Sequence, residues 1–159
     1  MRISVVAVGR LKEKYLSDAI QEYSKRLGRY CKLDITEVAD EKTPDGAGTV
    51  LEEQIKEREG ERILKAVREN SYVIALAIEG RKLTSEKFAE KIGQLGVEGV
   101  SHITFIIGGS LGLSGSVLKR ADYLLSFSDM TFPHQLMRVI LLEQVYRAYR
   151  INMNEPYHK

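Results

Sequence analysis

The segment from residue 125 to residue 134 combines side chains that suit a small-molecule site. It reads Leu-Ser-Phe-Ser-Asp-Met-Thr-Phe-Pro-His. Phe127, Met130 and Phe132 can line an apolar pocket, while Ser128, Thr131 and the backbone amides can supply oriented hydrogen bonds, the mixture expected of a cofactor site. The alternative is that the three apolar side chains only close the end of a sheet.

A second candidate is the glycine-rich run Gly108–Gly115, which reads Gly-Gly-Ser-Leu-Gly-Leu-Ser-Gly. Glycine allows the backbone to approach a ligand closely and leaves N–H groups free to bind oxygen-rich groups. The run matches neither the G-x-G-x-x-G dinucleotide fingerprint nor the P-loop. Two interpretations stay open at this point, a binding loop and a flexible strand-to-helix turn.

The three histidines do not form a recognisable catalytic or metal motif. The chain contains no G-x-S-x-G and no H-E-x-x-H, so neither a hydrolase triad nor a zinc site is predicted. His102 adjoins a strand and is expected at a strand end or on the surface. His134 falls in a first helical turn, where the helix dipole would lower its pKa and favour a structural or hydrogen-bonding role. His158 lies near the chain end, a place that is usually disordered.

These segments are positioned by an alternation of strands and helices. Hydrophobic periodicity predicts the order β-α-β-α-β-α-β-α-β-α over a single domain, residues 1–159, and hence an α/β fold with a mostly parallel sheet. The strands are predicted at Ile3–Val8, Lys32–Val38, Tyr72–Ile78, Ile103–Ile107 and Leu124–Phe127. Five helices are predicted: three at residues 16–27, 51–67 and 84–92, a fourth between the last two strands, and a fifth that begins near Pro133. The second of these helices has a weak point at Gly60.

Ligands of such sheets bind at the carboxyl ends of the strands. The loops that follow Ile78, Ile107 and Ser126 are therefore where the sequence predicts chemistry.

Composition excludes several classes of protein. The chain has 159 residues, 43% of them hydrophobic, and its longest apolar runs are far shorter than the roughly 20 residues of a membrane span. Its amino-terminal residues predict a first strand and no signal peptide. The lone Cys31 permits no internal disulfide, and three histidines offer no metal-ligand cluster. We therefore expect a soluble cytoplasmic protein without a metal.

Charge is unevenly distributed along the chain although the net charge is only +2. Residues 1–30 and 132–159 carry an excess of basic side chains, whereas residues 34–69 carry six basic and eleven acidic ones. If the two chain ends meet, they form a basic surface opposite an acidic face, which suits a polyanionic substrate. The alternative is that these charges are solvated helix faces.

In its order of elements and loops, the whole chain resembles the SPOUT-class methyltransferases and, within them, the ribosomal large subunit methyltransferase H family. The motifs that carry the resemblance are Val5–Gly9, Ala75–Gly80, Ile107-Gly108-Gly109-x-x-Gly112, Ser126–His134, Arg138 and Pro156–Lys159. Each motif is weak alone, and together, in this order and at this chain length, they are specific.

The resemblance implies an α/β fold with helices on both faces of the sheet and a C-terminal trefoil knot. It also implies an S-adenosylmethionine site in the knotted loops, a homodimer, and an enzyme that methylates N3 of a pseudouridine in 23S rRNA, either in the large ribosomal subunit or in the assembled ribosome. With an RNA substrate implied, the candidate phosphate contacts are Lys12, Lys14, Arg138, Arg147 and Arg150, and an ion pair is the alternative for each, such as Glu143 with Arg147. The cofactor-binding residues that the resemblance implies are Leu76, Gly108, Phe127, Ser128, Asp129, Met130, Thr131 and Phe132.

The resemblance leaves the catalytic groups less defined. His158 is the candidate for the base that removes the N3 proton, and Arg138 is the candidate for stabilising the developing anion or positioning the RNA. Two other functions stay open: a non-catalytic module that binds ribosomes or RNA, and a methyltransferase of the same class that acts on tRNA.

Overall fold

A computed structural model describes residues 1–159 and contains five strands that alternate with five helices. The strands are β1 (Arg2–Val8), β2 (Lys32–Val38), β3 (Tyr72–Lys82), β4 (His102–Ile107) and β5 (Tyr123–Ser126). The helices are α1 (Lys14–Leu27), α2 (Thr49–Ala66), α3 (Ser85–Val97), α4 (Gly115–Arg120) and α5 (His134–Asn152). None of the helices has both the length and the apolar character that a membrane span requires.

All strand pairs are parallel, and the order across the sheet is β2-β1-β4-β3-β5. The predicted α/β class is therefore confirmed, with a sheet that is wholly rather than mostly parallel. The trefoil knot stays a prediction of the resemblance.

The sheet is covered on both faces, and the side chains of β1 show how. Ile3, Val5 and Ala7 pack into the larger hydrophobic cluster, to which α1, α3 and α5 contribute. Val6 and Val8 point the other way, into a smaller cluster with residues of α2 and α4. Double coverage explains why the central strands are continuous apolar runs, since both faces of each strand are buried.

Strand β3 extends four residues beyond its predicted end at Ile78 because its pairing with β5 contains a bulge. Leu76 and Arg81 both pair with Leu125, so residues 77–80 leave the ladder before it resumes. A Cβ on Gly80 would stand 2.7 Å from the backbone of Leu124, so only glycine lets the two strands close again. Sequence periodicity carries no signal for such an interruption.

Helix α2 continues through Gly60, where the sequence predicts a weak point. A Cβ at this position would lie 2.3 Å from the Oγ of Ser114 and 3.1 Å from its Cβ. The glycine therefore permits α2 to pack against the start of α4, which outweighs its poor helix propensity.

The two chain ends meet in space, as the charge pattern requires for a basic surface. The Tyr30 hydroxyl, after α1, donates a hydrogen bond to Glu155 in the tail, and Arg150 donates to the same hydroxyl. Helix α2, in the acidic segment, packs on the opposite face of the sheet.

Candidate active site

A cavity of about 810 Å³ lies at the carboxyl edge of the sheet, where the loop positions predict chemistry. Three chain segments form most of its wall: residues 76–79 in β3, residues 107–113 after β4, and residues 125–134 except Asp129. Lys56 from α2 and Met137 from α5 complete it. Its size is in the usual range for small-molecule sites.

The bulge in β3 creates one wall of this cavity. Ala77, Ile78 and Glu79 leave the ladder there and line the space together with Leu76, the last residue before the bulge. Ile78 is exposed at the mouth. An uninterrupted ladder between β3 and β5 would pair these residues instead of turning them into a wall.

The glycine-rich run forms a second wall as a tightly folded turn. The N–H of Gly112 donates to the carbonyl of Gly109, and Gly112 has a φ of +89°, which favours glycine. A Cβ on Gly108 would stand 2.8 Å from Leu113 Cδ2 and 3.1 Å from the backbone of Gly112. A side chain at position 108 would therefore crowd Leu113 and the Gly112 backbone, so glycine favours the tight closure of this turn beside the cavity.

The segment after β5 forms the third wall and is held by its own serines. Ser126 donates through its hydroxyl to the Ser128 carbonyl, and the Ser128 hydroxyl accepts the N–H of Met130. Phe127 and Phe132 line the cavity rather than merely closing the sheet. These local bonds fix the loop backbone, so its apolar and polar groups have defined positions.

Seven of the eight residues predicted to bind a cofactor lie in the cavity wall: Leu76, Gly108, Phe127, Ser128, Met130, Thr131 and Phe132. Asp129 is the exception. Its carboxylate pairs with the ammonium of Lys82, and its side chain is largely exposed. The structure therefore brings together all but one member of the predicted set.

His134 lines the cavity as the first residue of α5. Burial lowers the pKa of His134, and the nearby Arg138 charge lowers it further, while Asp40 acts in the opposite direction. The direction agrees with the expectation from the helix dipole, but the main cause is burial. The imidazole is therefore neutral at neutral pH and able to hydrogen-bond a ligand.

Arg138 is buried behind the cavity and does not line it. Its side chain is only 3% exposed, and its guanidinium donates to the carbonyl of Gly9 at 2.8 Å and to the carboxylate of Glu37 at 2.5 Å. Its Nε is buried without a partner. The residue ties α5 to the carboxyl ends of β1 and β2.

His158 also lies outside the cavity wall of its own chain, so the two predicted catalytic residues are not brought together. Its Nδ1 is 3.1 Å from Arg147 and its Nε2 is 2.6 Å from Glu86. Tyr157 donates to Glu143 and its ring lies under the Arg147 guanidinium. The tail is therefore docked on α5, contrary to the usual disorder of chain ends.

His102 begins β4 at the opposite edge of the sheet from the cavity. The prediction of a strand end is confirmed, while the surface alternative is wrong because the side chain is buried and hydrogen-bonded to Ser4 Oγ at 2.7 Å. No group of three or more His, Cys, Asp or Glu side chains is arranged to hold a metal ion.

Sequence reasoning missed Lys56, the cation in the cavity wall. Its ammonium pairs with Glu53 at 2.7 Å on the same helix. Nothing in the sequence distinguishes Lys56 as a cavity residue, because it lies in a long, highly charged helix whose polar residues are all typical of a solvent-exposed face. Only the packing of α2 beside the glycine-rich turn distinguishes it.

The contact between Arg138 and Glu37 predicts an acid-dependent loss of stability. Partial burial acts to raise the pKa of Glu37, but hydrogen bonds from Arg138 and from the Leu11 N–H, with the Arg138 charge, outweigh it and lower this pKa. The contribution of Glu37 to stability is therefore present above its unfolded pKa and is lost as pH falls through the folded value. Urea unfolding of Glu37→Gln should show a deficit at pH 7 that disappears toward pH 3.

Glu22→Gln is the matched control, since Glu22 forms an exposed ion pair with Arg26 four residues away. Its deficit should be smaller, below about 1 kcal/mol. A Glu37→Gln deficit of equal size at pH 7 and pH 3 would contradict the assignment.

Comparison with known proteins agrees with this geometry. A family model described as "Predicted SPOUT methyltransferase" matches residues 1–158. A protein of Bifidobacterium adolescentis is 70% identical over 159 residues, and one of Bifidobacterium animalis subsp. lactis is 64% identical over the same length. A protein of Clostridium perfringens is also 64% identical.

In each of these pairs, the match covers 100% of both chains. All three relatives carry the name "Ribosomal RNA large subunit methyltransferase H". The matches span the β3 bulge, the glycine-rich turn and the loop after β5, which together form the cavity wall. The chain belongs to the SPOUT methyltransferase family.

Proposed function

We propose that this protein transfers a methyl group from S-adenosylmethionine to N3 of a pseudouridine in the 23S rRNA of the large ribosomal subunit. The observation that carries the proposal is the cavity whose wall contains seven of the eight residues implied by the resemblance. The names of the full-length relatives support large-subunit rRNA as the substrate class. The site of action would be the cytoplasm, where ribosomes are assembled and used.

The wall of the cavity fits the chemistry of S-adenosylmethionine. The phenyl rings of Phe127 and Phe132 and the side chain of Leu76 offer apolar surface for adenine. Gly108 also lies in the wall, within the tightly packed glycine-rich turn, so backbone polar groups are available beside the apolar surface. Ser128, Thr131 and His134 add hydrogen-bonding groups around the same space.

When bound, S-adenosylmethionine would supply a methyl group activated by its sulfonium, which is a good leaving group. The residues of this chain hold the methyl donor and orient its methyl group toward N3. Correct orientation of reacting groups contributes as much as about 7–11 kcal/mol to catalysis, so a wall without a strong acid is sufficient. The loop after β5, which the hydrogen bonds of Ser126 and Ser128 hold in place, and the closely packed glycine-rich turn provide that fixed geometry.

Arg138 supports this site from behind. Its bonds to Gly9 and Glu37 fix the start of α5, from which His134 and Met137 reach the cavity. We assign Arg138 a positioning role, with its charge close enough to lower the pKa of His134.

The direct test of the proposal is methyl transfer to its substrate. Assembled ribosomes, separated large subunits and, in a parallel reaction, tRNA from a strain that lacks the gene are incubated with the protein and labelled S-adenosylmethionine, and the 23S rRNA is digested for mass spectrometry. We expect one methyl group on a pseudouridine, at N3. Label in tRNA alone, or no label in RNA, would contradict the proposal.

Replacement of Gly108 should weaken S-adenosylmethionine binding. In Gly108→Ala the new Cβ meets Leu113 and the Gly112 backbone, so the turn must adjust, and the cavity wall that it forms changes with it. We expect an affinity loss of about tenfold or more, equivalent to about 1.4 kcal/mol, in titration calorimetry.

Gly115→Ala is the matched control from the same glycine-rich run, since nothing lies within 4 Å of its added Cβ. It should bind like the wild type. Equal affinities of Gly108→Ala and Gly115→Ala for S-adenosylmethionine would show that the glycine-rich turn is not part of the binding site.

The role of His158 in removing the N3 proton is a proposal with a structural condition. Because His158 contacts Glu86 and Arg147 outside the cavity, the tail must move, or must reach the cavity of the second protomer in the proposed homodimer. Deleting residues 157–159 should therefore lower turnover far more than cofactor affinity. Unchanged turnover would restrict the tail to a structural role, and a stable 18.0 kDa species in sedimentation would exclude the dimer route.

A further inference from the structure

The structure divides the candidate phosphate contacts into engaged and free cations. Arg138 is buried against Glu37, Arg147 pairs with Glu143, and Arg150 pairs with Glu155. The ion-pair alternative for Arg147 is thus confirmed. Lys14 pairs with Asp18 at 2.7 Å on an exposed helix face. A cation already paired gains less from a phosphate, because it must first release its partner.

Free cations stand instead in residues 10–15, which comprise the connection between β1 and α1 and the first two residues of α1, and which we call the β1–α1 loop. Arg10 and Lys12 are exposed and form no ion pair. Glu13 is the loop's only acidic residue. Tyr15, the second residue of α1, ends this segment. Its side chain is 69% exposed, more than any other aromatic side chain of the protein.

This loop is held rigidly beside the cavity. Gln135 donates to the carbonyl of Arg10, and the N–H of Leu11 donates to Glu37, the carboxylate that Arg138 also contacts. At its base, a Cβ on Gly9 would stand 3.6 Å from Nε2 of His134, which lines the cavity. A polyanion lying on the loop would therefore pass the mouth of the proposed methyl-donor site.

We propose that the β1–α1 loop is the docking surface for the RNA substrate, with Arg10 and Lys12 on backbone phosphates and the Tyr15 ring stacked on an unpaired base. Aromatic rings beside cations are the combination that binds single-stranded segments of folded RNA. The inference rests on the proposed function and adds how a chain of net charge +2 holds RNA. Local charge, rather than the overall balance, supplies the attraction.

The test measures binding of the full-length protein to large ribosomal subunits, both separated and within assembled ribosomes, from a strain lacking the gene, over a series of salt concentrations. The variants are Arg10→Gln/Lys12→Gln, Tyr15→Ser and Tyr15→Phe. The matched control is Lys32→Gln/Lys119→Gln, which removes two exposed, unpaired cations, one at the start of β2 and one in α4. Titration calorimetry with S-adenosylmethionine and light scattering are run on each variant.

We expect the loop double variant to bind subunits more weakly and to reduce the slope of log affinity against log salt by about two, one for each phosphate contact. Tyr15→Ser should lose about fivefold or more in affinity, while Tyr15→Phe keeps the ring and the binding. The control should behave as the wild type, and every variant should keep its affinity for S-adenosylmethionine and its molar mass.

Several outcomes would overturn the proposal. These are unchanged subunit binding in the loop variants, an equal loss in the control, or no subunit binding by the wild type. A loop variant that changes molar mass would assign the surface to a second copy of the chain instead. Failure of the proposed function is a separate result, since the wild type would then bind subunits without methylating them.

Discussion

The buried guanidinium of Arg138 is the interaction on which the arrangement of the site depends. It joins three elements that are distant in sequence, because its donors reach Gly9 at the end of β1 and Glu37 in β2 from within α5. Removing one partner of a buried charge pair costs about 3–5 kcal/mol, and less where a partner such as Glu37 is partly exposed. The start of α5 is therefore held at one place above the sheet.

That fixed position has consequences on both sides of the helix. Toward the sheet, His134 and Met137 become part of the cavity wall. Toward solvent, the β1–α1 loop is tied down by Glu37 and Gln135, so its free cations stand beside the cavity mouth. One charged contact thus organises both the cavity wall and the loop proposed to dock RNA.

Much of this architecture could be predicted because it follows from local patterns. Continuous apolar runs such as Ile103–Ile107 indicate strands buried on both faces, and parallel strands place their following loops at one edge. The loop after β5 was recognisable from its unusual mixture of Phe, Met, Ser and Thr. Residues close in sequence carried those signals.

The features that could not be predicted depend on contacts between distant segments. The bulge at residues 77–80 arises from register with β5, the burial of Arg138 from partners about 100 or more residues away, and the place of Lys56 from the packing of α2. Docking of the tail through Tyr157 and His158 likewise requires α5 and α3 to be in place. Composition and periodicity do not describe such pairings.

We propose that the cavity at the carboxyl edge of the sheet holds the methyl donor. A crystal structure of the protein with S-adenosylhomocysteine, the product of methyl transfer, tests it most directly. We expect the adenine to lie against Phe127, Phe132 and Leu76, with the ligand in contact with the backbone at Gly108. A ligand bound elsewhere on the chain, or a vacant cavity at saturating ligand, would contradict it.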